Sequence, residues 1–147
     1  MATSINMSRV VQGGLIAGVV INVLSMVNNS FIVGSSILAE QQAGHFLEQP
    51  RFAFLPAWLV AMFLVGIGLT WLYAAARPRF GPGPGTALAV GLIAGLLAGV
   101  PDNLANAAWS TGGGYLGVAW MVERVVTYAI GTLVGAWWYR EGAASAA

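Results

Sequence analysis

The chain has 147 residues, a formal net charge of +1, 58% hydrophobic and only 7% charged residues, and a mean hydropathy of +0.76. So little charge cannot coat a soluble domain of this size, and the near-neutral balance gives no basis for nucleic-acid or acidic-substrate binding. The absence of cysteine excludes disulfides, thiolate metal sites and cysteine nucleophiles.

Four apolar stretches, 10–33, 52–76, 86–109 and 116–139, are each long enough to cross a hydrocarbon core, which takes about 20 helical residues. They predict an all-α membrane protein: a single domain over 1–147, built as an antiparallel up-down bundle of four transmembrane helices. Sustained apolar/polar alternation, the mark of strands, is missing. The first stretch is too long for a signal peptide, is interrupted by Asn22, Asn28 and Asn29, and has no small-x-small cleavage site after it. It is read as a true span. One of its faces carries Gly14 and Gly18 and then Asn22, Ser25 and Asn29.

The segment 36–49 is expected to form a short interfacial helix capped by Ser35 or Ser36, with Ile37, Leu38, Phe46 and Leu47 towards lipid, or else an exposed loop. His45, the only histidine, lies there with Glu40 and Glu48. Their spacing matches no metal motif, so a solvated loop histidine is expected. After the second span, the run 77–85 holds three prolines and alternating glycines, which should forbid a continuous helix.

The third span repeats the first. Gly91, Gly95, Gly99, Asp102 and Asn106 follow the spacing of the first face 77 residues on, and residues 14–18 recur letter for letter as 91–95. Trp71-Leu72-Tyr73 and Trp137-Trp138-Tyr139 close spans 2 and 4. A duplicated two-helix hairpin is the natural reading, its copies related by a pseudo-twofold axis along the membrane normal. The glycines are helix-packing positions, expected to bring spans 1 and 3 together.

Glu123 and Arg124 lie about two turns into the fourth span, and an unpaired charge at the centre of a span costs about 2.5–3.5 kcal/mol. Arg124 is therefore expected to pair with Asp102. Asn22, Ser25, Asn29, Asn103, Asn106 and Thr127 would add hydrogen bonds around them, along with the carbonyl freed by Pro101. Such a cluster is either structural glue, the reading placed first, or the lining of a cavity open to the outer side that binds a small polar solute, an ion or a lipid headgroup.

Arg9, Arg77, Arg79 and Arg140 flank span ends on one side, so the positive-inside rule puts both termini in the cytoplasm. Trp58, Trp109, Tyr115 and Trp120 would form the outer aromatic belt, and Trp71, Tyr73, Trp137, Trp138 and Tyr139 the inner one. The glycine runs at 81–85 and 112–114 lack the pattern of a phosphate loop, and the chain has no lysine to complete one.

The run Trp71-Leu72-Tyr73-Ala74-Ala75-Ala76-Arg77-Pro78-Arg79-Phe80-Gly81-Pro82-Gly83-Pro84-Gly85-Thr86-Ala87 resembles the central signature of a group of small bacterial four-span integral membrane proteins. The resemblance implies a four-helix fold in the bacterial inner membrane, and it assigns no activity and no site residue. With no catalytic set, metal site or cofactor motif in view, the expected function is non-enzymatic: a homo-oligomer, or an accessory subunit of a larger membrane complex, with the lipid bilayer as its other partner. The alternative is a small transporter or channel-like protein that binds a polar solute or ion in the outer leaflet.

Overall fold

A computed structural model describes residues 5–110 and 114–139. Arg140, Gly112 and Gly113, all invoked above, lie outside the described residues. The chain forms α1 (Met7–Val27), a π-helical turn (Asn28–Ile32), α2 (Gly34–Gln42), α3 (Phe54–Phe80), α4 (Pro84–Trp109) and α5 (Tyr115–Trp138), with no strand among the described residues. Four helices, α1 with its π turn, α3, α4 and α5, are long and apolar enough to cross a membrane. The fold is that of an all-α, four-span membrane protein. Its proximal end is taken below as the one holding the N-terminus of α1 and the α3–α4 turn, and its distal end as the opposite one.

Local chemistry sets the helix ends. Asn6 caps α1 by accepting from the Arg9 amide at 3.2 Å. Past Val27 the backbone takes up one extra residue, and the Val33 amide donates to the Asn28 carbonyl five residues back at 3.0 Å. α2 follows directly, so Ser35 and Ser36 lie inside it rather than capping it. The α3–α4 connection is shorter than its composition suggests. Pro78 sits in the last turn of α3 and its missing amide is tolerated there, Gly81 ends the helix at φ 83°, and Pro84 opens α4 at its first position. The Thr86 hydroxyl ties the turn by donating to the Gly81 carbonyl at 2.8 Å.

Helix pairing differs from the expectation in one respect. α1 packs most closely on α3, and α4 on α5, while α1 and α5 form a third seam. The α3–α4 seam is looser, α3 and α5 span the short diagonal, and α1 and α4 occupy the far corners. The two glycine ridges therefore do not meet, and each is used within its own hairpin. A Cβ on Gly14 would come within 2.8 Å of the Ile67 nitrogen, and one on Gly18 within 2.8 Å of the Phe63 Cα. On α4, a Cβ at Gly91 would stand 2.6 Å from the Ala129 Cα, and one at Gly95 2.7 Å from the Val125 Cα. Backbone touches backbone at these points, which in lipid is the main source of helix attraction.

Tyr73 and Tyr139 also depart from their expected place. Neither lies in a belt, because both rings are buried at the proximal end, edge to face at 6.3 Å. The Tyr73 hydroxyl accepts from the Gly83 amide at 3.1 Å, and the Tyr139 hydroxyl from the Asn6 amide at 3.3 Å. Trp109, Tyr115, Trp71, Trp137 and Trp138 remain on the surface near the span ends.

The glycine contacts give a direct test. Gly14→Leu should destabilise the bundle by about 1–3 kcal/mol through overpacking at the α1–α3 crossing. Gly68→Leu, on a face where an added Cβ meets nothing within 4 Å, should leave the melting temperature unchanged. Thermal unfolding in detergent followed by circular dichroism measures both.

Candidate functional site

Beyond the glycine crossings of α1 a cavity of about 510 Å3 opens in the distal half of the bundle. α1 and its π turn supply Ser25, Met26, Asn29 and Ser30, α4 supplies Asn103, and α5 supplies Trp120, Glu123 and Arg124. The start of α3 contributes Phe54, Leu55 and Trp58, and Ile37 of α2 closes one side. α2 thus contributes to the wall of the cavity. Phe46, just beyond it, stacks on Trp120 at 6.2 Å between ring centroids.

The charged pair sits in this cavity. The Glu123 side chain is only 5% exposed, and its Oε1 accepts a hydrogen bond from the Ser25 hydroxyl at 2.6 Å. Arg124 Nε lies 4.0 Å from Glu123 Oε2. Consecutive residues on a helix diverge, so this contact is loose. Aromatic rings do most of the holding: the guanidinium carbon lies 5.0 Å from the Trp58 ring centre and 5.5 Å from that of Tyr128. One guanidinium N–H points at the Met62 sulfur at 3.6 Å, a weak acceptor. Arg124 makes no other side-chain hydrogen bond among the described residues, which leaves most of its five donors unused by them.

The Asp102–Arg124 pair does not form. Gly91, Gly95, Gly99, Asn103 and Ala107 make one ridge at intervals of four, and this ridge is what α5 meets. Gly99 lies against the Arg124 side chain, and Gly117 of α5 against Asn103 and Ala107. Asp102 is rotated by about 100° from its neighbour Asn103, and it is exposed together with Pro101 and Asn106. Neither Asp102 nor Asn106 makes an ion pair or side-chain hydrogen bond among the described residues.

The other cluster residues divide by depth. Asn29 bridges α1 and α5, its Nδ2 donating to the Ser25 carbonyl at 2.8 Å and its Oδ1 accepting from the Trp120 indole at 3.0 Å. Asn103 turns back on its own helix, donating to the Gly99 carbonyl at 2.8 Å. Asn22 is buried deeper and is not part of the cavity wall; its Nδ2 bonds the Gly18 carbonyl at 3.0 Å and reaches the Leu59 carbonyl on α3 at 3.4 Å. Thr127 donates to the Arg124 carbonyl at 3.4 Å on the other side of Glu123. His45 stays clear of the cavity, with Nδ1 2.7 Å from Glu40 Oε2, and no cluster of three metal-binding side chains forms among the described residues.

Sequence reasoning placed Trp58 and Trp120 in the outer belt and missed them as cavity residues. Trp120 precedes Glu123 and Arg124 by three and four positions, a same-face signal that could have found it. Fold and site together define a four-span membrane bundle hollowed at one end around a buried acid and a half-buried base. No protein-family model, curated protein or solved structure matches the chain.

Two substitutions separate the members of the cluster. Ser25→Ala removes a buried hydrogen bond to a carboxyl group and should cost about 1.5–3 kcal/mol. Asp102→Asn, at an exposed position, should leave stability unchanged, whereas a paired Asp102 would make it destabilising. Denaturation in mixed micelles compares the two.

Proposed function

We propose that the protein is a non-enzymatic membrane protein whose distal cavity binds a small polar solute bearing an anionic group. The carrying observation is Arg124, a guanidinium enclosed by rings inside a cavity with most of its donors unused. An intramembrane cation is expensive to keep, and Glu123 at 4.0 Å neutralises it only loosely. A carboxylate or phosphate group of a solute would complete its hydrogen bonds, with Glu123 beside it able to take the cationic centre of a zwitterion. In this reading the cluster is both a support and a site.

The localisation we infer is the bacterial inner membrane with both termini cytoplasmic. Arg9, Arg77 and Arg79 gather at the proximal end, which supports this orientation by the positive-inside rule. We also read the bundle as two copies of one hairpin. Contacts of the first helices repeat at an offset of 77 (Gly14 to Gly91, Gly18 to Gly95), and those of the second helices at 62 (Ile67 to Ala129, Phe63 to Val125). At the same offset of 62, Trp58 matches Trp120, and both line the cavity. Thr70 and Thr132 likewise each donate to the carbonyl four residues back. The aromatic triplets that close α3 and α5 fall one turn out of this register.

A second reading, a homo-oligomer or accessory subunit of a larger complex, has an observation of its own. Asp102 and Asn106 stand one turn apart on the outer surface of α4, the least buried of the spans. A neighbouring helix with a donor at that depth would satisfy them.

Isothermal titration of the protein in lipid nanodiscs with glycine, acetate and inorganic phosphate tests the first reading. At least one should bind saturably, and Arg124→Met should weaken it at least about tenfold, the loss of one charge-assisted hydrogen bond. Absence of saturable binding for all three probes, or binding indifferent to Arg124→Met, overturns it. For the second reading, the mass of the gently solubilised protein is the measurement. Asp102→Leu with Asn106→Leu should return an assembly to single chains.

A further inference from the structure

A second hollow opens on the flank of the bundle, outside the distal cavity. It is a groove of about 430 Å3 between the end of α1 with its π turn and the first half of α5. Leu24, Val27 and Ile32 form one wall, and Val118, Val122 and Val126 the other. All of these but Leu24 are exposed apolar residues on the outer surface of the spans, so the groove faces hydrocarbon rather than water.

Its floor is polar. Glu123 separates the groove from the distal cavity, since it lines both, and Thr127 lies beside it. Both have partners: Glu123 accepts from Ser25, and Thr127 donates to the Arg124 carbonyl. Asn28 differs. It is 7% exposed, and its Nδ2 is buried with no hydrogen-bond partner. An unmade buried amide bond carries its full desolvation cost, and the valine, leucine and isoleucine walls of the groove offer it no acceptor. Helix geometry accounts for the placement. Neighbouring residues diverge by about 100°, so Asn29 reaches the cavity while Asn28 lines the groove.

We propose that this groove seats an acyl chain of a membrane glycerolipid, whose ester carbonyl oxygen accepts a hydrogen bond from Asn28 Nδ2. The apolar walls suit a hydrocarbon chain and open sideways to the bilayer. Asn28 lies one helical turn before Ile32, where the first span ends, and this is the depth at which ester carbonyls lie beneath the headgroups. The carboxyl group of Glu123 in the same floor disfavours a phosphate or free carboxylate at that level, so the acceptor is a neutral oxygen. The terminal torsion of asparagine is broad and two-fold, so the amide nitrogen can turn onto the chain without a change of χ1 rotamer. This site is independent of the solute reading for the distal cavity, since it uses a different opening and a different donor.

The test is competition between a diacyl phospholipid and its diether analogue, which has the same chains and headgroup but no carbonyl. Protein exchanged into an equal mixture is released into detergent, and the retained lipids are counted by native mass spectrometry. The wild-type protein should keep the ester lipid over the ether by about fivefold, the factor one ordinary hydrogen bond supports. Asn28→Leu should retain both lipids without preference. Val122→Trp, which fills the groove from its exposed wall, should retain neither, and it decides the matter alone if Asn28→Leu fails to fold. Equal retention of ester and ether by the wild type overturns the proposal, as does an ester preference that survives Asn28→Leu. So does undiminished lipid in Val122→Trp, the result expected of a non-specific lipid shell.

Discussion

Helices in a bilayer are not driven together by water, so they hold best where their backbones can come close and where side chains bond across them. In this protein the first condition is met at glycine, and the positions of the glycines decide the shape of the whole. Gly14, Gly18 and Gly66 lock α1 on α3, and Gly91, Gly95 and Gly99 lock α4 on α5. Gly131 and Gly135 admit α1 against α5, where they meet Ile21 and Gly13. Beyond Gly18, α1 presents Asn22, Ser25 and Asn29 in place of glycine, and large rings stand between it and its neighbours. The cavity begins where the glycines of α1 end. On α4 the spacing changes only locally at Gly99, whose two nearest atoms belong to the Arg124 side chain, and the backbones close again at Gly117, where an added Cβ would stand 2.7 Å from the Asn103 carbonyl oxygen.

The charged residues are accommodated by that change of spacing. A guanidinium within a span needs room and partners, and Arg124 finds rings on α3 and on its own helix, with a carboxyl group alongside. Glu123 in turn is fixed across the bundle by Ser25. The acid and base are thus held by different elements, Glu123 from α1 and Arg124 from α3. This is a more deformable arrangement than a bidentate salt bridge, and one that leaves donors available.

Much of this was legible in the sequence, but unevenly. The spans were clear because twenty apolar residues in a row have few other meanings. The glycines were expected to bring spans 1 and 3 together and instead stand against α3 and α5, because a small-residue face shows where a helix can be approached and not by which neighbour. The polar cluster was anticipated as a group: Ser25, Asn29, Asn103, Glu123 and Arg124 do converge. The expected ion pair failed on a matter of angle, since Asn103 and not Asp102 continues the ridge of Gly91, Gly95 and Gly99. Tyr73 and Tyr139 were assigned to an interface by residue type, whereas their hydroxyls are used to tie down the proximal turn and the start of α1. Asn28 carried no signal beyond its adjacency to Asn29, because composition does not show which buried amide will be left without a partner.

The two buried tyrosines bear on what the distal cavity can be. Val10, Tyr73, Ala74, Ala87 and Tyr139 fill the proximal end of the bundle, and the tyrosine hydroxyls stitch that end to the backbone on both sides. The molecule is therefore shaped as a cup rather than a tube. In the solute reading proposed above, whatever entered at the distal rim would meet this packed base and leave by the way it came. Any passage across the membrane would have to open both that stitch and the packed middle of the bundle, where Ile21, Met62, Leu69 and Tyr128 cluster between it and the cavity.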